Sequence, residues 1–105
     1  MSLDVGLYKQ ECIFNGNITH NLTEMALQAM LYYPIWRPEE IGVSTAGELI
    51  PFLKAGLKLL IDNKEEMVKL EPKNAWGDYK ALLEFTEVYL GKCYLDKTAT
   101  IGVCR

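Results

Sequence analysis

The chain has 105 residues, of which half are hydrophobic and 24% are charged, proportions that are ordinary for a globular domain with one core. Its formal net charge of −3 argues against unaided binding to nucleic acid, which needs a basic surface. The apolar runs fall short of the about 18 residues of a membrane-spanning helix, and the first residues do not resemble a signal peptide. We therefore expect a single globular domain over residues 1–105, in the cytoplasm and without membrane insertion.

The N-terminal segment has the alternating pattern of a β-strand. Residues 5–14 place successive side chains on opposite faces, and the face with Tyr8, Cys12 and Phe14 is the one we expect to be buried. Asn15-Gly16 is a turn signal that should end this strand.

A helical pattern follows from about residue 17 to residue 33. Asn17, Thr19 and Asn21 are candidate N-caps, since each has a short side-chain oxygen, and Pro34 should end the helix. The apolar residues recur at helical spacing at Ile18, Leu22, Met25, Ala26, Ala29 and Tyr33.

The connector after this helix contains Trp36-Arg37-Pro38. Pro38 favours an extended conformation for Arg37, so that Trp36 and Arg37 should point to opposite sides. We expect Trp36 to close the end of the core and Arg37 to pair with a carboxylate, for which Asp78 is a candidate.

The second helix has a strong start signal. Thr45 and Glu48 form a capping box. The apolar face that follows comprises Leu49, Leu53, Gly56, Leu57 and Leu60. Pro51 lies inside this pattern, and it should either kink the first turn or mark a later start.

Two further helical segments precede a β-prone C-terminus. Residues 65–70 fit a short helix, and Asn74 should cap a last helix with Gly77 and Asp78 in its first turn. The apolar positions of that helix are Tyr79, Leu82, Leu83, Thr86, Leu90 and Cys93. Residues 98–104 form a second β-prone run, with Ala99, Ile101 and Val103 on one face.

The order of these elements predicts an α+β fold that is mainly α. It would contain three main helices, a short helix, and a small β ribbon formed by the N- and C-terminal strands. A two-stranded ribbon is marginal alone, so we expect it to lie on the helices.

The sequence gives little indication of a cofactor or a metal. Cys12, Cys93 and Cys104 are odd in number and widely spaced, which favours buried thiols in a reducing compartment over disulfides. Zinc-ligand spacings, glycine-rich phosphate loops and nucleophile elbows do not occur. We therefore expect no cofactor and no metal.

His20 is the only histidine and has two interpretations. It is either a general base or ligand at the mouth of a pocket, or a first-turn residue whose ring bonds a nearby backbone group.

Unusual polar and aromatic residues gather at the starts of the predicted elements. We hypothesise that they converge on a shallow pocket or a partner surface; the alternative is that the tryptophans fill the core and the amides cap helices. The candidate residues are Asn17, His20, Asn21, Trp36, Arg37, Trp76, Asp78 and Tyr79.

Two classes of function remain open. The first is a small non-catalytic binding or assembly module that contacts a protein partner or a second copy, and it predicts a contiguous exposed apolar patch. The second is a small enzyme that uses His20 as acid or base and Arg37 to bind an anion.

Four segments carry a resemblance to a protein family: residues 17–22, 36–41, 49–51 and 76–79. Together they resemble a group of short bacterial and bacteriophage proteins that have no assigned activity, over about residues 17–104. The resemblance implies an origin in a phage or another mobile element. In that group the second aromatic motif often reads Asn-Gly-Trp-Gly, whereas Ala75 precedes Trp76 here.

Overall fold

Three antiparallel strands form a sheet in the order β2-β1-β3, in a computed structural model that describes residues 1–9, 11–74 and 77–105. The strands are β1, Ser2–Tyr8; β2, Cys12–Thr19; and β3, Thr100–Cys104. The helices are α1, Thr23–Gln28; α2, Tyr32–Trp36; α3, Ala46–Asp62; α4, Lys64–Val68; and α5, Tyr79–Leu95. The fold is therefore α+β, as predicted.

The two ends of the chain pair with each other, which confirms the predicted ribbon. In the antiparallel register of β1 and β3, Val5 lies opposite Val103 and Leu7 lies opposite Ile101. The ribbon gains a third strand because β2 pairs with the other edge of β1. Ala99 is buried, and Ile101 and Val103 are half-buried, so the predicted face of the C-terminal run is confirmed.

The prediction of one strand over residues 5–14 is wrong, because two strands cover this part of the sequence. β1 ends at Tyr8 and β2 begins at Cys12, so Asn15-Gly16 lies inside β2 rather than in a turn. In β1 the buried face is the opposite one, since Leu7 is fully buried and Tyr8 is 42% exposed. Cys12 is also exposed, whereas Phe14 packs against the core as predicted. The aliphatic side chains of β1 complete the core and leave the tyrosine at the surface.

The predicted single helix over residues 17–33 is wrong at both ends, because α1 covers only Thr23–Gln28 and a separate helix begins at Tyr32. β2 continues to Thr19, since Ser2 pairs with Thr19 across the sheet. A 3₁₀ helix, His20–Leu22, then leads into α1, and the Thr19 hydroxyl, not Asn17 or Asn21, accepts the capping hydrogen bond. Of the predicted apolar face, all but Tyr33 is buried; the buried members are Ile18, Leu22, Met25, Ala26 and Ala29.

Pro34 does not end a helix; it is the third residue of α2. The first four N–H groups of an α-helix have no partner within the helix, so a proline there loses no hydrogen bond. The 3₁₀ turn Pro38–Ile41 follows after Arg37.

α3 follows its sequence signals closely. The Thr45–Glu48 capping box forms, and the helix continues through Pro51 without a delayed start. Leu49, Leu53, Gly56 and Leu60 are buried as predicted, and Leu57 is half-buried. A Cβ on Gly56 would overlap the Leu31 side chain, so this glycine lets α3 approach the segment between α1 and α2.

α5 begins later than predicted. Its N-cap is Asp78, whose carboxylate accepts a hydrogen bond from the Ala81 amide at 2.8 Å, so the cap is not Asn74. The core side of α5 carries Tyr79, Leu82, Thr86, Tyr89 and Cys93. Cys93 is buried as expected, but Cys12 and Cys104 are exposed because they lie at the ends of the two edge strands.

None of the helices that the structure describes combines the length and the apolar character of a membrane-crossing segment.

Candidate functional site

An apolar groove with a volume of about 310 Å³ opens between the α1–α2 segment and α3. One wall is formed by Leu27, Met30, Tyr32, Tyr33 and Pro34, and the other by Ile41 and Phe52. Several of these side chains are unusually exposed for their size, with Met30 at 72%, Leu27 at 49% and Phe52 at 41%. Exposed apolar residues that cluster in this way mark binding surfaces more often than single exposed residues do.

The groove wall owes its shape to the turn that ends α1. The Leu31 amide donates to the Ala26 carbonyl at 2.8 Å, and the Met30 amide donates to the Leu27 carbonyl at 3.1 Å. These two bonds define a Schellman C-cap, in which the residue after the C-cap adopts a left-handed conformation and is usually glycine. Here that residue is Met30, with φ of 59°, and Leu31 turns inward and is fully buried.

The left-handed conformation of Met30 is unfavourable for any residue with a Cβ. It costs roughly 1–2 kcal/mol relative to a right-handed conformation. Met30 is the only described non-glycine residue with a positive φ. This conformation places a long, flexible thioether side chain at the mouth of the groove.

Tyr32, in the first wall of the groove, contacts three neighbouring side chains. Its ring stacks on Trp36 with centroids 5.9 Å apart and meets the edge of Tyr33 at 5.1 Å. Its hydroxyl oxygen accepts a hydrogen bond from Nε of Arg37 at 2.9 Å.

Trp36 is in turn fixed by His20. The indole Nε1–H donates to Nδ1 of His20 at 2.8 Å, and Trp36 is only 1% exposed. Because Nδ1 accepts this bond, the ring proton of neutral His20 lies on Nε2. His20 therefore satisfies the polar atom of a buried tryptophan, and its partner is an indole rather than the backbone group expected from the sequence.

Arg37 is paired within its own segment. Besides Tyr32, it contacts the Glu40 carboxylate at 2.8 Å, so Asp78 is not its partner. The hydrogen bond to Tyr32, followed by that to Glu40, raises the pKa of the Arg37 guanidinium further above its ordinary value. Arg37 is thus a charged residue throughout the accessible pH range.

The C-terminal residue, Arg105, ties β3 to the same region. Its guanidinium donates to the Trp36 carbonyl at 2.7 Å and lies 2.9 Å from the Glu39 carboxylate. Sequence reasoning missed this contact, because nothing local connects residues so far apart in the chain.

The structure therefore links three of the candidates: His20 contacts Trp36, and both Trp36 and Arg37 contact Tyr32, which lines the groove. Asn17 lies elsewhere, on the outer face of the sheet, where its amide donates to Asp4 at 2.7 Å and to Ser2 at 2.9 Å.

The remaining candidates have separate local roles. Asn21 is exposed, and its backbone N–H donates to the Thr19 hydroxyl. Asp78 caps α5, and the buried Tyr79 hydroxyl donates to the Leu60 carbonyl at 2.7 Å. Trp76 lies outside the described residues.

None of the residues that line the groove is among the predicted site residues. The one sequence signal of the groove is that Leu27 and Met30 lie off the main apolar face of the first predicted helix. In the structure both side chains are open to solvent.

The chemistry that this arrangement offers is apolar contact. Within the described ranges, His, Cys, Asp and Glu side chains do not gather in threes that could hold a metal ion. The groove is lined by aliphatic and aromatic groups, which suit an apolar ligand or the apolar side chains of a partner.

Comparison of the chain with protein-family models, with curated proteins and with solved structures found no match.

Proposed function

We propose that this chain is a small non-catalytic binding module whose site is the groove between the α1–α2 segment and α3. The family resemblance of its sequence suggests that it serves a phage or another mobile element. The observation that carries the proposal is the strained, exposed Met30 at the mouth of the groove.

Glycine in place of Met30 would relieve the strain of this turn. Glycine adopts a positive φ without steric cost and is the usual residue in this turn. Keeping methionine there gives up stability and gains a side chain in the groove. Strained residues that persist in this way cluster at ligand clamps and active sites.

Methionine also suits a binding surface. Its unbranched, polarisable side chain adapts to differently shaped apolar partners. Tyr32 and Tyr33 add rigid aromatic area beside it, and such side chains lose little conformational entropy on binding.

The contacts of His20 and Arg37 support a positioning role rather than acid–base or anion-binding chemistry. His20 uses Nδ1 to hold Trp36, and Arg37 is engaged by Tyr32 and Glu40. Arg37 thereby holds Tyr32 in the first wall, and His20 holds Trp36, on which Tyr32 stacks. This favours the binding module over the enzyme that the sequence left open.

The test uses N-phenyl-1-naphthylamine, an uncharged apolar probe whose fluorescence rises on burial. We expect it to bind the wild-type chain, and we expect Phe52→Ser to weaken binding by about tenfold, because the ring of Phe52 forms one wall. Val88→Ser is the matched control, since Val88 is 53% exposed on α5 and does not line the groove. Absent binding, or equal losses in the two variants, would refute the proposed site.

A further inference from the structure

The charges around the groove identify the kind of partner that it fits. We propose that the occupant is a basic amphipathic helix from another protein. This inference rests on the proposed binding function and adds the chemical class of the partner.

Carboxylates flank the groove on both sides. Glu24 lines an adjoining depression together with Leu27, Tyr32 and Tyr33, so its carboxylate lies beside the first wall. Glu48 lies one helical turn before Phe52 on α3; its carboxylate accepts hydrogen bonds from Ser44 and Thr45, so it contributes negative charge near the second wall without lining the groove. A third carboxylate, Glu40, directly precedes Ile41 of the second wall.

Basic charge at the groove is offset. Arg37 reaches the hydroxyl of Tyr32, but the Glu40 carboxylate lies 2.8 Å from its guanidinium and offsets its positive charge. Lys54 is two positions from Phe52 and therefore about 200° around α3. Lys58 is about 120° around α3 from Phe52 and pairs with Asp62 at 2.8 Å. The rim of the groove thus carries net negative charge from Glu24 and Glu48.

An amphipathic helix matches both features of this surface. Its apolar face supplies side chains at spacings of three and four residues for a hydrophobic groove, which is a common mode of peptide recognition. Lysine or arginine beside that face would meet the Glu24 carboxylate on one side and would be attracted by the charge of Glu48 on the other. Charge complementarity of this kind selects the partner and speeds association more than it raises affinity.

The same charges disfavour a second copy of this chain as the occupant. A twofold interface would bring the same patch of both copies together, so the negative rim of one copy would meet the negative rim of the other. Like charges that meet across an interface weaken association with the wrong partner.

The experiment compares two synthetic helical peptides of about four turns with identical leucine positions. The other positions carry lysine in one peptide and glutamate in the second. Binding to the purified chain is measured by fluorescence anisotropy at low and at high salt. We expect the lysine peptide to bind, with an affinity that falls as salt is added, and the glutamate peptide to bind at least tenfold more weakly.

Two pairs of variants locate the binding. Phe52→Ser should reduce affinity for the lysine peptide about tenfold, and Val88→Ser should leave it unchanged. Glu24→Gln should reduce it about two- to fivefold at low salt, whereas Glu87→Gln, which removes an exposed carboxylate from α5, should not. Circular dichroism of each variant checks that the helices are retained.

The other outcomes separate the inference from the proposed function. Equal binding of both peptides, or binding of the uncharged probe without either peptide, overturns the basic partner and leaves the groove as a binding site. A dimer in sedimentation that Phe52→Ser dissolves overturns it too, in favour of self-assembly through the groove. Failure of the probe and of both peptides overturns both proposals.

Discussion

Tyr89 is fully buried in α5, and its ring lies between two phenylalanines. It stacks on Phe14 with centroids 5.6 Å apart and meets Phe85 at 5.7 Å. Its hydroxyl is buried without a hydrogen-bond partner among the described residues. Burial, with a smaller contribution from Cys93, raises the pKa of this hydroxyl, so it remains protonated.

We expect Tyr89→Phe to leave the free energy of unfolding unchanged or to raise it by about 1 kcal/mol, because it removes an unpaired polar group and keeps the ring. Tyr79→Phe is the matched comparison, since it removes the bond to the Leu60 carbonyl and should lower stability by about 1 kcal/mol. Urea unfolding of both variants measures the difference. A large loss in Tyr89→Phe would mean that its hydroxyl has a partner.

The three thiols should differ sharply in reactivity. Burial raises the pKa of the Cys93 thiol to about 12, so almost none of it is the reactive thiolate at neutral pH. Cys12 and Cys104 are exposed. We expect an aromatic disulfide reagent to modify two thiols per chain quickly at pH 8 and the third only after unfolding by urea. Rapid modification of all three in the native state would contradict the burial of Cys93.

At the scale of elements, α3 is stabilised at its start by a pH-dependent cap. Hydrogen bonds from the Ser44 amide, followed by those from Thr45, lower the pKa of Glu48 below its ordinary value of 4.5. The ionised carboxylate is therefore favoured in the folded state. Its contribution is fully present above about pH 4.5 and is lost as pH falls through the lowered pKa.

We expect Glu48→Gln to destabilise the chain near pH 7 and to become indistinguishable from the wild type in strong acid. The measurement is the difference between the two unfolding free energies as a function of pH, which removes the effect of the other carboxylates. Thr45→Ala, which removes the other half of the box and the hydroxyl bonded to the Glu48 carboxylate, should cost about 1 kcal/mol at neutral pH and less in strong acid. A difference for Glu48→Gln that does not change with pH would refute the role of its charge.

Local signals explain which elements could be predicted. The start of α3 could be read from Thr45 and Glu48 because both partners of its capping box lie within one turn. The extension of β2 to Thr19 could not, because it depends on pairing with Ser2, which is distant in the sequence and lies beside Thr19 only at the open end of the hairpin. A helical pattern of apolar residues cannot report such a long-range bond, and pairing with β1 outweighs it.

In the whole molecule, too, residues with a local sequence signal could be predicted, whereas a site assembled from distant segments could not. The unusual residues His20, Trp36 and Arg37 could be singled out by type; His20 contacts Trp36, and Trp36 and Arg37 contact Tyr32. The groove could not be predicted, because Phe52 reaches it from another helix. The left-handed Met30 also has no sequence signal, since glycine is the residue that marks such a turn.

The groove and its strained turn together give the molecule a stability–binding trade-off. Relieving the strain should stabilise the fold at the expense of its contact surface. Met30→Asn provides a second variant, since asparagine tolerates a positive φ but presents a short polar side chain.

The most direct test measures stability and probe binding together in Met30→Gly. We expect the free energy of unfolding of this variant to be about 1 kcal/mol higher than that of the wild type, because glycine accepts the φ of 59°. We also expect N-phenyl-1-naphthylamine to bind several-fold more weakly, because the exposed thioether is gone. A stabilised variant that binds the probe as tightly as the wild type would contradict the account.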